Sequence, residues 1–117
     1  MKELIRAINY SKADIINGSM TPDTIQTHDG DSFKLVGVGL YKKEEIESGK
    51  TTIISVMKVV DTAGEIHYIS SISENVCESL QMIIAAYDEK EISDGINIQV
   101  KSGKSKSNRT FYYIQTM

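Results

Sequence analysis

The sequence predicts a mainly β domain in which one helix separates the third and fourth of five strands. Residues 51–60 form a run of β-branched and apolar side chains that is typical of a strand. Residues 96–101 alternate between apolar and polar side chains, as a strand with one buried face does. Between these segments lies an apolar stripe with helical spacing, formed by Val76, Leu80, Ile83, Ile84 and Tyr87.

Three strands are expected before the helix. The first covers residues 33–41, where Gly37 and Gly39 predict a bend or a bulge. The second is segment 51–60. A compact turn with Gly64 in a left-handed conformation then returns the chain as an antiparallel third strand over 67–71.

The helix and the last two strands complete the domain. Ser71 and Glu74 have the spacing of a capping box, which predicts the start of the helix. The acidic, glycine-containing stretch 88–95 predicts its end. A fourth strand over 96–101 and a fifth over 109–115 are then joined by a polar segment.

This order of elements is that of the OB-fold, a small, five-stranded and partly open barrel. We therefore expect residues 1–117 to form a single OB-fold domain, with one helix between strands 3 and 4. The pattern does not assign residues 1–32. Residues 3–16 are ambiguous between a strand and a helix, and residues 19–31 are rich in turn formers, with a short strand expected around Ile25. This segment is an extra strand, an oligomerisation arm or a cap.

Composition excludes several classes of protein. A net charge of −3 argues against a protein that coats duplex DNA through bulk positive charge. One cysteine, Cys77, excludes an internal disulfide and a cysteine-based zinc site, and it fits a reducing cytoplasm. The chain contains neither an apolar run near the roughly 20 residues of a membrane span nor a recognisable signal peptide. We therefore expect a cytoplasmic protein.

The sequence shows no arrangement typical of an enzyme. His28 and His67 fall in a loop and a strand, and neither lies near Cys77 in the sequence. The Ser-Gly-Lys-Ser stretch at 102–105 lacks the earlier glycine and the following helix of a phosphate-binding loop. We expect no catalysis, no cofactor and no metal site.

Positive charge is concentrated at the end of the sequence. Residues 101–117 contain four cations and no carboxylate, whereas the first hundred residues contain nine Lys or Arg against sixteen Asp or Glu. The same segment contains three consecutive aromatic residues. Cations bind phosphates, and exposed rings stack on unpaired bases. The nucleic-acid contacts predicted here are Lys101, Lys104, Lys106, Arg109 and Tyr112; the alternative is a solvated hairpin tip above core aromatic residues.

Strand alternation divides the three rings between two faces. Phe111 and Tyr113 point to one side and Tyr112 to the other. We expect Phe111 to lie in the core and Tyr112 to stack on a base.

Three further contacts are predicted outside this segment. Tyr41, late in the first strand, and Tyr68, in the third, are candidates for stacking. Lys42 is a candidate phosphate contact if the first loop lies beside the groove, although charge pairing in a solvated loop is the alternative.

From residue 51 to residue 117 the chain resembles the single-stranded DNA-binding proteins of small protein-primed phages. The likeness lies in Thr51-Thr52-Ile53, in Tyr68-Ile69-Ser70, in the helix opening that contains Glu78-Ser79-Leu80, and in the ending over 98–115. That ending is similar to the family's strand, Gly- and Lys-containing turn, and paired aromatic strand. The resemblance implies an OB-fold protein that coats displaced single strands without sequence preference or cofactor. It leaves monomers and small oligomers open.

The sequence thus predicts sequence-independent binding of single-stranded DNA during replication or transfer of a phage or mobile element. RNA is not distinguished from DNA. Replication proteins and a second copy of the chain are further expected partners, and a membrane is not. Two alternatives stay open: a β-rich protein–protein interaction module that does not bind nucleic acid, and a small-molecule or oligosaccharide binder on the same barrel face.

Overall fold

The computed structural model describes residues 2–20 and 22–117, so the predictions for Met1 and Thr21 lie outside it. The described chain is mainly β, with seven strands, three α-helices and one 3-10 turn. In chain order these are β1 (Lys2–Ile8), α1 (Lys12–Met20), β2 (Asp23–Thr24), the 3-10 turn Ile25–His28, β3 (Ser32–Glu44), β4 (Thr51–Val60), β5 (Ile66–Ser71), α2 (Glu74–Ala86), α3 (Glu89–Asp94), β6 (Ile96–Lys104) and β7 (Thr110–Thr116). Within the described ranges, none of the helices is long and apolar enough to cross a membrane.

The strands form one curled sheet that resembles half of a barrel. Its order is β2-β5-β4-β3-β6-β7, and β1 also pairs with β3. The β2–β5 pair is parallel and the other pairs are antiparallel. Because β4 runs along one edge of β3, strands β6 and β1 share the other edge, with β6 next to the start of β3 and β1 next to its end.

The predicted strands correspond to β3, β4, β5, β6 and β7, and the predicted helix corresponds to α2. The predicted total of five strands and one helix is wrong, because β1, α1 and β2 precede these elements and α3 follows α2. Helix α3 replaces an expected loop. A capping box between Asp88 and Glu91 starts it, and Gly95, with φ of 107°, ends it.

Two glycines allow the N-terminal segment to lie directly on β3. The register of β3 against β4 shifts between Leu35 and Gly37, as the predicted bulge requires. A Cβ at Gly37 would lie 2.6 Å from the backbone oxygen of Asn9, and one at Gly39 would lie 2.8 Å from the ring of Tyr10. Any larger residue would push the segment away from the strand.

The main core lies between one face of the sheet and helix α2. Leu35, Met57 and Ile69 of the sheet have no exposed surface. The predicted helical stripe is confirmed, with Val76, Leu80, Ile83 and Ile84 buried and Tyr87 packed at the margin. The predicted capping box is wrong, because α2 begins at Glu74 and its N-cap is Ser73, whose side chain accepts a hydrogen bond from the Val76 N–H.

A second core covers the opposite face of the sheet. Its buried members are Tyr10, Tyr41 and Val56, and Tyr68 and Ile15 pack against them. Ile15 belongs to α1, so the N-terminal segment is both an extra strand and a cap. These are two of the three roles left open by the sequence.

Candidate nucleic-acid interface

The outer face of the β6–β7 hairpin carries two aromatic rings beside a lysine. In the register of the two strands, Phe111 lies opposite Gly103 and Tyr113 lies opposite Lys101. The ring centroids of Phe111 and Tyr113 are 6.0 Å apart, and their planes are inclined by 32°. All three side chains are only half-buried. We refer to Lys101, Phe111 and Tyr113 as the aromatic platform.

Tyr112 lies on the other face of the hairpin from Phe111 and Tyr113 and lines the same cleft as Phe111, so the expectation that Phe111 lies in the core is wrong and the stacking role of Tyr112 stays a prediction. Ile114 belongs to the main core and is only 6% exposed, and strand alternation places Tyr112 on the same face. Tyr112 packs against that core. Phe111, which was expected inside, faces outward instead. Ile114 could have indicated this orientation from the sequence alone. A branched apolar side chain is expected on the inner face of the strand, and Tyr112 lies two residues before it.

The two rings of the aromatic platform belong to β7, which is held on both edges. A Cβ at Gly103 would lie 2.7 Å from Cζ of Phe111, so this ring rests directly on the glycine of β6. On the other edge of β7, the N–H of Ile114 donates to Oγ of Ser79 in α2 at 3.2 Å. The two rings are therefore presented by a fixed backbone, which reduces the entropy lost when a ligand binds.

The cations of the hairpin are not neutralised. Lys104, Lys106 and Arg109 are exposed at or near its tip, and Lys101 is part of the aromatic platform. Among the described residues, the ion pairs within 4.0 Å involve other cationic side chains, namely His28, Lys58 and His67. The four predicted cations are thus brought together on one hairpin and are available to an external anion.

Hydrogen bonds define the shape of the hairpin tip. The backbone N–H of Ser105 donates to the carbonyl of Arg109 at 2.9 Å, and Asn108 adopts a left-handed φ of 61°. Nζ of Lys104 donates to Oγ1 of Thr110 at 2.8 Å, which directs this lysine across the hairpin. The charged tip is therefore a closed turn rather than an extended loop.

The ring of Tyr41 is buried, so its predicted role in stacking is wrong for this structure, whereas Tyr68 is half-buried and its predicted role stays a prediction. Tyr41 is 4% exposed within the second core. Tyr68 meets the edge of Tyr10 at a centroid distance of 6.4 Å, and its hydroxyl donates to Oδ1 of Asp14 at 2.7 Å. Tyr10, in the segment before α1, packs in the same cluster as both rings, and no local pattern in β3 or β5 predicts that packing.

Lys42 is exposed but lies away from the hairpin. It pairs with Glu3 of β1 and with Ile53 of β4, near the end of β3. Strand β6 instead pairs with Ser32 to Leu35, at the start of β3. The structure therefore does not bring Lys42 together with the other predicted cations.

A buried carboxylate ties α1 to the sheet. Asp14 is 5% exposed and accepts hydrogen bonds from the Tyr68 hydroxyl at 2.7 Å, the Ser11 N–H at 2.7 Å and Lys58 Nζ at 3.2 Å. Burial raises the pKa of Asp14, but these hydrogen bonds outweigh burial and hold the pKa below 3.8. Burial, followed by the bond to Asp14, raises the pKa of Tyr68. Sequence reasoning missed this network, which joins residues that lie far apart in the chain.

We expect the protein to lose stability in acid because Asp14 titrates. Its folded-state pKa is depressed, so the ionised carboxylate contributes stability above pH 3.8 and this contribution is lost as the pH falls through the folded pKa. The variant Asp14→Asn lacks the contribution at every pH. Urea unfolding from about pH 6 to about pH 2 should show the difference in free energy of unfolding between wild type and variant shrinking as the pH falls. A difference that is independent of pH would contradict this role of Asp14.

An open cleft lies beside the aromatic platform. It has a volume of about 380 Å³ and separates the end of β5, at Ser70 and Ser71, from Thr110 and Phe111 of β7. Within the described residues, β5 and β7 are not paired, so the curled sheet stays open along this seam. The cleft is large enough for a flat ring, and Phe111 lies on its border.

Comparison with known proteins adds no relative: no protein-family model, no curated protein and no solved structure matches the chain.

Proposed function

We propose that the protein binds single-stranded DNA without sequence preference, through the aromatic platform and the cations of the β6–β7 hairpin. The observation that carries the proposal is the pairing of Phe111 and Tyr113, 6.0 Å apart, on a hairpin whose cations have no carboxylate within 4.0 Å among the described residues. Bases stack on the rings, and the phosphates contact Lys101, Lys104, Lys106 and Arg109. Every base has a π-face, so this mode of binding tolerates any sequence.

The arrangement of the sheet supports an OB-fold as the finer description. Strand β3 pairs with both β4 and β6, β6 pairs with β7, and α2 follows β5. Taken as the five strands of an OB-fold, β3 to β7 have the helix between the third and fourth strands, as that fold requires. The open seam between β5 and β7 fits a partly open barrel.

The position of α1 gives this OB-fold an unusual ligand surface. OB-folds commonly bind oligonucleotides on their second and third strands and on two loops, of which one joins the fourth and fifth strands. Here the second and third strands are β4 and β5, and α1 and Tyr10 cover their outer face. The free parts of the usual surface are therefore the β3–β4 loop and the β6–β7 hairpin, and of these two the hairpin carries the aromatic rings. The resemblance to phage single-stranded DNA-binding proteins is carried in large part by the same hairpin.

The biological role that follows is protective. A protein that coats displaced strands keeps them from re-annealing and from nucleases, and it needs no catalytic group. We propose that this role is played in the cytoplasm of a host cell, during replication or transfer of a phage or mobile element. Replication proteins and further copies of the chain are the proposed protein partners.

Fluorescence anisotropy with labelled oligonucleotides tests the proposal. Single strands of about 20 nucleotides with unrelated sequences should bind with similar affinity at low salt, and a duplex of the same length should bind more weakly. Adding the same single strand made of RNA shows whether the sugar matters. Failure to bind any single strand at low salt would contradict the proposal and favour the protein-interaction module instead.

We expect Gly103→Val to weaken binding of single-stranded DNA several-fold. The added side chain begins 2.7 Å from Cζ of Phe111, so the ring must tilt away from the position in which it pairs with Tyr113. A loss of part of one stacking contact, worth about 1–3 kcal/mol when complete, gives a change of this size. Anisotropy titration measures the affinity, and urea unfolding of the same variant shows whether the fold is intact. Unchanged affinity in a folded variant would exclude Phe111 from the binding surface.

A further inference from the structure

Both histidines of the chain lie in one cluster with four carboxylates. The cluster consists of Asp23, His28, Asp31, Asp61, Glu65 and His67, which come from β2, the 3-10 turn, the loop before β3, the β4–β5 turn and β5. None of these residues belongs to the aromatic platform. We refer to this group as the histidine–carboxylate cluster.

Each imidazole of the cluster stands between two carboxylates. His28 places Nε2 3.0 Å from Asp23 and Nδ1 3.0 Å from Asp31. His67 places Nε2 2.6 Å from Oδ2 of Asp61 and Nδ1 3.8 Å from Oδ2 of Asp23. A neutral imidazole has a single N–H, so one nitrogen of His28 would direct its lone pair at a carboxylate, whereas His67 has a hydrogen-bonding distance at Nε2 alone. A positive charge, either a proton or a metal ion, removes that conflict.

The two rings differ in how that charge can be supplied. His28 has hydrogen-bonding distances on both nitrogens, and its side chain is 17% exposed. Burial lowers the pKa of His28, but the hydrogen bonds to Asp23 and Asp31 outweigh burial and raise it, so a proton suits this ring. The side chain of His67 is 30% exposed, and it forms a group with Asp61 and Glu65. One ligand atom from each of these three residues lies within 4.8 Å of the other two. This second group is open to an ion from solvent.

The backbone of the β4–β5 turn positions the first carboxylate. Oδ1 of Asp61 accepts hydrogen bonds from the N–H groups of Ala63 and Glu65, both at 2.9 Å. Oδ2 is thereby directed at His67. Gly64, with φ of 85°, closes the turn between the two acidic residues. Asp61 therefore has one oxygen committed to the fold and the other directed at the cluster.

Asp23 occupies the place of an outer carboxylate. In protein metal sites, a histidine that binds the ion with one nitrogen commonly donates the other N–H to a carboxylate, which fixes the ring. Asp23 lies 3.8 Å from Nδ1 of His67, an ion-pair separation that has to shorten before a hydrogen bond forms, and it is itself held by His28 at 3.0 Å. This arrangement leaves Nε2 of His67 as the ligand nitrogen.

We propose that Asp61, Glu65 and His67 form a binding site for a divalent ion of the zinc class, with Asp23 orienting the histidine. One imidazole and two carboxylates favour such an ion over magnesium or calcium, which prefer oxygen ligands alone. Bonds of about 2.1 Å in a tetrahedron place ligand atoms about 3.4 Å apart, so Nε2 and Oδ2 separate slightly to admit the ion. Water completes the coordination. The site would tie the β4–β5 turn to β2, and it does not depend on the binding of single-stranded DNA.

Calorimetric titration of the full chain with Zn²⁺, after removal of metals with a chelator, tests the site. We expect saturable binding of one ion, and a Co²⁺ complex whose visible absorption is typical of four-coordinate geometry. His67→Gln should abolish saturable binding, and Asp23→Asn should weaken it by about 10- to 100-fold. Glu47→Gln, which alters a carboxylate elsewhere on the surface, should bind as wild type does.

Two outcomes would overturn the proposal. One is the absence of saturable Zn²⁺ binding by the wild type, which would leave a hydrogen-bonded histidine–carboxylate cluster without a metal. The other is equal binding by wild type and His67→Gln, which would place the ion elsewhere. If His67→Gln does not fold, loss of the wild-type Co²⁺ spectrum on addition of excess Zn²⁺ supports the site, and a spectrum of six-coordinate Co²⁺ contradicts it.

Discussion

The double variant Phe111→Ala and Tyr113→Ala is expected to lose most of the affinity for single-stranded DNA. Each ring that stacks on a base contributes about 1–3 kcal/mol, so removal of both should weaken binding by roughly 30-fold or more. The two rings lie on the outer face of the hairpin and outside the main core, so the fold should persist. Anisotropy titration with a single strand of about 20 nucleotides measures the loss.

Tyr112→Phe is the matched control for this experiment. Tyr112 has the same chemistry and lies between the two rings in sequence, but it packs against the main core. The conservative change keeps that packing and should leave DNA affinity unchanged. If Tyr112→Phe weakens binding as much as the double variant does, the assignment of the two faces is wrong.

The largest effect on stability is expected from Asp14→Ala. The change leaves Lys58, with a side chain 18% exposed, and the hydroxyl of Tyr68 without their acceptor beneath α1. Removal of one partner of a buried ion pair typically costs about 3–5 kcal/mol, and the partial exposure of Lys58 favours the lower value. Urea unfolding at neutral pH measures the change in free energy of unfolding.

Removal of both charges separates the ion pair from the packing of α1. The double variant Asp14→Leu and Lys58→Met replaces the pair by apolar groups, and such replacements are often neutral or stabilising. We expect it to recover much of the stability lost by Asp14→Ala. A double variant as unstable as Asp14→Ala would mean that the carboxylate acts mainly through the Ser11 N–H and the Tyr68 hydroxyl rather than through Lys58.

The part of the fold that local pattern could predict is the part from β3 onward. The alternation of Ile96, Ile98 and Val100 fixed β6, and the apolar stripe from Val76 to Ile84 fixed α2, because both patterns face the main core. The residues before β3 gave no such pattern. Strand β1 pairs with the edge of β3, and the outer face of the sheet is covered through Tyr10 and through the hydrogen bonds of Asp14, which follow no apolar repeat.

The starts of α1 and α3 could have been predicted from capping residues in the sequence. Ser11 and Asp14 exchange hydrogen bonds as a capping box does, and so do Asp88 and Glu91. The first pair would have separated β1 from α1. The apolar pattern alone leaves residues 3–16 ambiguous between a strand and a helix, and the acidic stretch 88–95 predicts only the end of α2.

The candidate site was predicted in part. The four cations do lie together, because they follow one another along a single hairpin and need no long-range contact to meet. Ile114 indicates from the sequence that Tyr112 faces inward, whereas the packing of Tyr10 with Tyr41 and Tyr68 required tertiary information. The histidine–carboxylate cluster could not be predicted from the sequence, because His28 and His67 come together only through the pairing of β2 with β5.

The salt dependence of binding to single-stranded DNA tests the central claim most directly. If phosphates contact the four cations of the hairpin, the logarithm of the association constant should fall linearly with the logarithm of salt concentration, with a slope of about −3. Lys104→Ala should reduce the magnitude of this slope by about 0.7, whereas Phe111→Ala should lower the affinity and leave the slope unchanged. Binding that is indifferent to salt, or a slope that Lys104→Ala does not change, would contradict the account.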